Sequence, residues 1–324
     1  MAIIFLLPLS TFSCERQSSG QQMPIGDDDV GIERIAPTGF DAARAYEHVR
    51  HQVGFGPRPP GSEAIRKTRN YIRTELESYG LSVQEDAFVT TTPNPKFPRV
   101  EMVNLIAEIP GERPEVVIIG SHYDTKWFPD IHFVGANDGG SSTGVLIELA
   151  RQLASTRPRM TLWLVFFDGE EPMNGEWIGT DNTYGSRHMV ERLKAEKRLD
   201  LVKAMVLLDM VGDRDLGIVR EGYSVDWLSD IIWQSARKLG YGKYFLKDRV
   251  YIEDDHVPFL RAGIPAIDLI DFNFGTGKSC GPGGNRNCYW HTDQDTLDKV
   301  SPESLKVVGD VVLVSLPKIM EQLR

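Results

Sequence analysis

The stretch LWLVFFDGEE, Leu162–Glu171, runs through six apolar residues and then turns without transition to Asp168-Gly169-Glu170-Glu171. An unbroken apolar run of this length, instead of an alternating one, suits a strand covered on both faces in a parallel sheet. Its carboxylates fall at the carboxyl end of the strand, the side on which open α/β sheets hold their ligands.

The neighbouring segments repeat the pattern. EVVIIGSHYD (115–124) ends in His122 and Asp124, and AMVLLDMVG (204–212) carries Asp209. LSVQEDAFVTT (81–91), VEMVNLIAEIP (100–110) and AIDLIDF (266–272) are further strand candidates. Helical periodicity lies between and around them. GVLIELARQLAS (144–155) sets Leu146, Leu149, Ala150 and Leu153 on one face, and VDWLSDIIWQSARKLG (225–240) clusters Trp227, Leu228, Ile231 and Ile232. Residues 301–323 form a closing helix. Residues 40–53 read as a helix, GFGPRPPGS (54–62) interrupts, and Ser62 caps a second helix that runs to Ser78 with Gly80 beyond its end. Alternating strands and helices predict a single α/β domain: a mixed, mainly parallel central β-sheet flanked by helices on both faces.

The chain has 324 residues and a formal net charge of -10. That charge disfavours nonspecific binding to nucleic acid or anionic lipid. MAIIFLLPLSTFSC (1–14) is apolar up to Cys14 and too short to span a bilayer, but it has the length of a signal-peptide core. Ser13 before Cys14 resembles a bacterial lipoprotein cleavage site, at which the cysteine becomes the lipidated N-terminus. An ordinary secretion signal or a start codon placed too late are the alternatives. The expectation is an exported protein, periplasmic or tethered to the membrane through Cys14. Residues 15–38 form a polar linker and 39–324 the folded domain, acting as a monomer. Cys280 and Cys288 flank GPGGNRN; in an oxidising compartment they close a short disulfide loop, and otherwise they are two free thiols. We expect the disulfide.

Polar clusters gather at the expected strand ends. Asp138 lies in FVGANDGGSSTG, a glycine-rich lead into a helix, and His291 lies in CYWHTDQDT. Carboxylate oxygens and imidazole nitrogens from separate loops suit a zinc ion. Taken singly, Asp138 could be a helix cap, Glu170 and Glu171 solvated charges, and His291 a surface histidine. The joint pattern resembles the zinc exopeptidases related to bacterial leucyl aminopeptidase, whose order is His-x-Asp, Asp-Gly, Glu-Glu, Asp, His. It stands here as His122-x-Asp124, Asp138-Gly139, Glu170-Glu171, Asp209 and His291 over roughly residues 40–324. The resemblance implies the α/β aminopeptidase fold and zinc in the site.

Two reactions share that scaffold. Di-zinc aminopeptidases activate a water against a peptide bond. Glutaminyl-peptide cyclotransferases, the glutaminyl cyclases, need one zinc, because the α-amine of an N-terminal glutamine attacks its own side-chain amide. Three features resemble the cyclases. PMNGEWIGTDNT (172–183), with Trp177, is inserted after Glu171; Asp254 stands in IEDDHVPFLRAGIP (252–265); and Trp290 directly precedes His291. HYDTKWF (122–128) adds to the likeness. Glu253, where animal cyclases have glutamine, and the long loop 274–289 depart from it.

The resemblance implies conversion of the N-terminal glutamine of peptides or proteins to pyroglutamate with release of ammonia; the alternative is a di-zinc aminopeptidase. It assigns one zinc per chain to Asp138, Glu171 and His291. Glu170 is implied as the proton shuttle, with Asp209 and Asp254 in a carboxyl network beside it. Trp177 and Trp290 become pocket walls, and His122, Asp124 and Asp295 supports that orient the ligands.

Overall fold

The computed structural model describes residues 33–275, 280 and 287–323. Within them eight strands form one sheet: β1 (Val83–Thr91), β2 (Arg99–Ile109), β3 (Arg113–His122), β4 (Met160–Phe167), β5 (Val202–Asp209), β6 (Ile218–Glu221), β7 (Phe245–Val250) and β8 (Ala266–Ile270). Their order across the sheet is β1-β2-β4-β3-β5-β8-β6-β7. The central β4-β3-β5-β8 run is parallel throughout, and antiparallel pairings join it to β2 and β6.

Among the described residues seven α-helices accompany the sheet: α1 (Ala42–Gly54), α2 (Glu63–Ser78), α3 (Gly140–Leu153), α4 (Tyr184–Ala195), α5 (Asp226–Leu239), α6 (His256–Arg261) and α7 (Pro302–Gln322). Alternate strand residues serve opposite faces. Val117, Ile119, Leu164 and Val206 join the core that includes α1, α3, α5 and α7. Ile118, Val165, Phe167 and Leu207 join the one beneath α4 and α6. Both faces are thus covered, as the continuous apolar runs require.

Ser62 caps α2 by accepting from Ile65 N. Leu146, Leu149 and Ala150, expected on one face, are buried, and α3 is in fact buried all round from Gly140 to Ala150. Its small first turn, Gly-Ser-Ser-Thr-Gly, lets α1 approach closely: a Cβ on Gly144 would lie 2.7 Å from Ala45 O.

The expected signal segment 1–14 and residues 15–32 of the expected linker lie outside the described residues. Further along, Thr38 bonds Asp310 of α7 through its backbone N at 3.1 Å and its hydroxyl at 2.5 Å. Cys280 and Cys288 are disulfide-bonded. No helix among the described residues is long and apolar enough to cross a membrane.

Buried His48 of α1 shares a 2.6 Å hydrogen bond between its Nδ1 and the Tyr71 hydroxyl. Burial pushes its pKa down from 6.5 to about 4, against the pull of Glu75 and Glu148. The unfolded chain therefore takes up a proton at pH 6.5 that the folded chain refuses until about pH 4. Stability falls as pH falls through that window, by on the order of 3 kcal/mol. Denaturant titrations between these limits should show the loss, and His48→Gln should flatten it.

Candidate active site

Because β4, β3, β5 and β8 are parallel neighbours, their carboxyl ends share one edge. His122 is the last residue of β3 and pairs with Phe167, and Asp209 ends β5 opposite Ile270. The Asp124 carboxylate clamps the next turn, accepting from Glu170 N at 3.1 Å and Glu171 N at 3.3 Å. With both amides fixed, the two glutamates diverge.

Glu171 turns toward His291, with Oε1 3.0 Å from Nε2, and that nitrogen lies 3.3 Å from Asp138 Oδ2. Donor atoms of Asp138, Glu171 and His291 all lie within 4.8 Å of one another. Asp138 Oδ2 and Glu171 Oε2 are buried without a hydrogen-bond partner, a costly arrangement unless a cation takes those lone pairs. Two carboxylates and an imidazole suit zinc. Burial opposes the Asp138 charge, but His122 and His291 outweigh it and hold the carboxyl below its usual range.

The Asp138 loop is held from behind. Asp295 accepts from Asn137 N at 2.7 Å and Asp138 N at 3.0 Å. Fully buried Arg58, from GFGPRPPGS, donates to the carbonyls of Tyr123, Val134 and Gly135 at 3.0, 2.5 and 2.8 Å. It ties the His122–Asp124 segment to the Asp138 loop. Arg58→Met strands three carbonyls and should destabilise the fold by about 3–5 kcal/mol in denaturant titration. Gly139 has φ 73°, and a Cβ there would lie 2.7 Å from Asp124 O and 2.8 Å from His122 Cε1, so only glycine fits. His291 itself has φ 55°, a left-handed strain at a residue of the three-donor cluster.

Glu170 turns the other way, toward His122 and a buried acid group. Its Oε2 is 3.8 Å from His122 Nδ1. Burial, opposed by His122 and reinforced by Asp254 and Glu171, lifts its pKa well above the carboxylate range. Burial together with Asp209 and Asp255 does the same to Asp254. Carboxyls this crowded share protons. Asp255 is the residue that precedes α6, and its N donates to Asp254 Oδ1 at 2.5 Å.

His122 does more than orient neighbours. Its Nε2 is 3.1 Å from Asp209 Oδ1 and 3.3 Å from Asp138 Oδ1, so His122, Asp138 and Asp209 make a second three-donor cluster that shares Asp138.

Asp138, Glu170, Glu171, Asp209, Asp254 and His291 line a cavity of about 510 Å³, together with Trp177, Trp290, Ile252 and Phe272. That size suits a small ligand. Trp290 stacks on His291 at 4.0 Å and 22° and meets the edge of Phe272. It therefore fixes a donor ring as well as walling the cavity. Trp177 lines the cavity with a buried, unpartnered Nε1. The insertion carrying it is anchored by Asp181, which accepts from Met173 N, Asn174 N and the Tyr184 hydroxyl. Arg187 reaches back to Thr180 O and Asn182 O.

Asp268 and Lys126 are among the residues that no sequence motif marks. Asp268, within AIDLIDF, is fully buried with both oxygens unpartnered, and burial with Asp254 and Asp209 drives its pKa up. A lone aspartate inside an apolar strand was the available signal. Lys126 of HYDTKWF is buried, lines the cavity, and sets Nζ 3.2 Å from His291 Nδ1.

Comparison with known proteins gives three kinds of relative. Residues 104–316 match the peptidase family M28. A solved glutaminyl cyclase from an Acidobacteriales bacterium is 37% identical, with 89% of this chain and 97% of that chain covered and a TM-score of 0.81. The glutaminyl-peptide cyclotransferase of Drosophila melanogaster is 26% identical, with 81% of this chain and 78% of its own length covered. A solved Zn-dependent exopeptidase from Parabacteroides distasonis is 29% identical, covering 86% of this chain and 98% of its own, with a TM-score of 0.74.

Proposed function

The chain belongs to peptidase family M28 and to the glutaminyl cyclases within it, and on that footing we propose how its residues carry out the reaction. The enzyme converts the N-terminal glutamine of peptides to pyroglutamate and releases ammonia. One observation carries the assignment of roles. The adjacent Glu170 and Glu171 face different partners, the first a buried acid group and the second the Asp138–His291 pair.

Asp138, Glu171 and His291 hold one zinc ion, which when bound supplies Lewis-acid polarisation of the glutamine side-chain carbonyl. Trp177 and Trp290 press on the glutamine methylenes and exclude water, holding the α-amine against the side-chain carbon. Glu170 takes a proton from the α-amine as its nitrogen bonds to that carbon. It then returns a proton to the amide nitrogen, the old carbon–nitrogen bond breaks, and ammonia leaves. Asp254 and Asp209 share protons with Glu170, which keeps a carboxyl able both to accept and to donate. Asp124 and Asp295 hold the backbone that carries these groups.

Intramolecular attack needs no activated water, so one zinc suffices. The His122–Asp138–Asp209 cluster favours a second reading, a di-zinc aminopeptidase. Metal-free enzyme titrated with zinc separates the two. We expect ammonia release from a Gln-peptide to plateau at one equivalent. A plateau at two equivalents, with free leucine released from a Leu-peptide, would overturn the proposal.

Residues 1–14 serve as an export signal with Cys14 as the lipid attachment point, 15–38 as linker and 39–324 as a monomeric catalytic domain. The Cys280–Cys288 disulfide supports an oxidising compartment such as the periplasm. Retention of Met1 on the mature protein in its native host would contradict the export assignment.

A further inference from the structure

Among the described residues, five large apolar side chains are exposed, and Tyr251 is the most open at 67%. It also lines the cavity that holds Glu170 and Trp177. An exposed aromatic ring is ordinary on a surface, but this one is fixed in place. Its face lies against the backbone of Gly222, where a Cβ would sit 2.5 Å from the ring. Tyr223, itself 49% exposed, meets it edge-on at 5.2 Å and 72°.

Both loops that carry these rings hang on one buried carboxylate. Glu221 accepts from Tyr223 N at 2.9 Å, Ser224 N at 2.7 Å and Ile252 N at 3.2 Å, and it pairs with His256 Nε2 at 2.9 Å. Gly222 N closes the junction by donating to Val250 O at 2.6 Å. The ring is thus pre-positioned at the cavity mouth, where little ordering cost remains for whatever stacks on it.

We propose that Tyr251 is a specificity-determining platform for the residue that follows the N-terminal glutamine, and that it favours an aromatic side chain there. The inference rests on the glutaminyl-cyclase assignment: with glutamine in the cavity, the chain leaves through the mouth, and the second residue is the first to emerge beside the ring. Aromatic pairs in offset or edge-on geometry are worth enough for a preference of roughly 3- to 10-fold. The alternative ligand, an acidic second residue, finds Glu176 and Glu253 in the same lining.

The test compares kcat/KM for Gln-Phe-amide and Gln-Gly-amide in the wild type, Tyr251→Ala and Tyr251→Phe, with glutamine amide as a wild-type control. The expected ratio of Phe to Gly substrate is roughly 3–10 in the wild type, near 1 in Tyr251→Ala, and restored in Tyr251→Phe. A wild-type ratio near 1, or an undiminished ratio in Tyr251→Ala, would overturn the platform while leaving the cyclase assignment intact. Failure of the wild type to release ammonia from glutamine amide would overturn the cyclase assignment, and the platform with it.

Discussion

Glu170→Gln should lower kcat on a Gln-peptide by roughly 10²–10⁴-fold, the usual range for a positioned general acid–base group. The substitution keeps the shape and removes the ability to carry a proton between two nitrogens. Zinc content and KM should stay near their wild-type values, because the donor atoms proposed to hold the zinc are those of Asp138, Glu171 and His291. The Asp124 clamp on both glutamate amides does not involve the Glu170 side chain, so Glu171 should keep its position. The informative readout is therefore the combination of lost kcat with retained metal. Turnover near that of the wild type would remove Glu170 from the mechanism.

His291→Ala should abolish both zinc binding and cyclisation. It removes one of three donors and leaves Asp138 and Glu171 as adjacent buried charges without a cation. Polarisation by the metal is worth several kcal/mol, so the activity loss should exceed about 10³-fold. Loss of the ring also frees Trp290 from its stacked position. Asp209→Asn provides the contrast. Under a one-zinc mechanism it lowers turnover but leaves the zinc content at one per chain. Under a two-metal mechanism it removes a ligand of the second ion, and metal content falls.

Much of the sheet was legible because strands buried on both faces must be apolar throughout. The abrupt end of that apolarity marked His122, Glu170, Glu171 and Asp209 as strand-end groups, and all four meet at the edge formed by β3, β4 and β5. The elements that sequence reading omitted lacked this signal. β6 has four residues, and β7 is an edge strand with the charged run Lys247-Asp248-Arg249 in it. α6 is six residues long and contains Pro258, too short for a helical period to register. α4 begins in Tyr184-Gly185-Ser186, which reads as loop, yet Gly185 is required there because a Cβ would lie 2.3 Å from Asn104 Oδ1.

The candidate site was easiest to read where residues occur in pairs or within a known motif order, and hardest where a single residue stands outside any motif. Glu170-Glu171 and His122-x-Asp124 announce themselves as local motifs. Asp268 and Lys126 are single residues whose importance comes from partners far along the chain, and Glu221 is visible only once the loops it supports have been folded around it. Arg58 is a similar case, since a lone arginine among prolines gives no sign that it will be fully buried behind the Asp138 loop.

The enzyme rearranges an N-terminal glutamine instead of cutting the bond after it. A mass spectrum of a peptide beginning with glutamine, recorded after incubation with the zinc-loaded enzyme, tests this directly. The expected product has lost one ammonia and kept every residue. A product shortened by its N-terminal residue would contradict it.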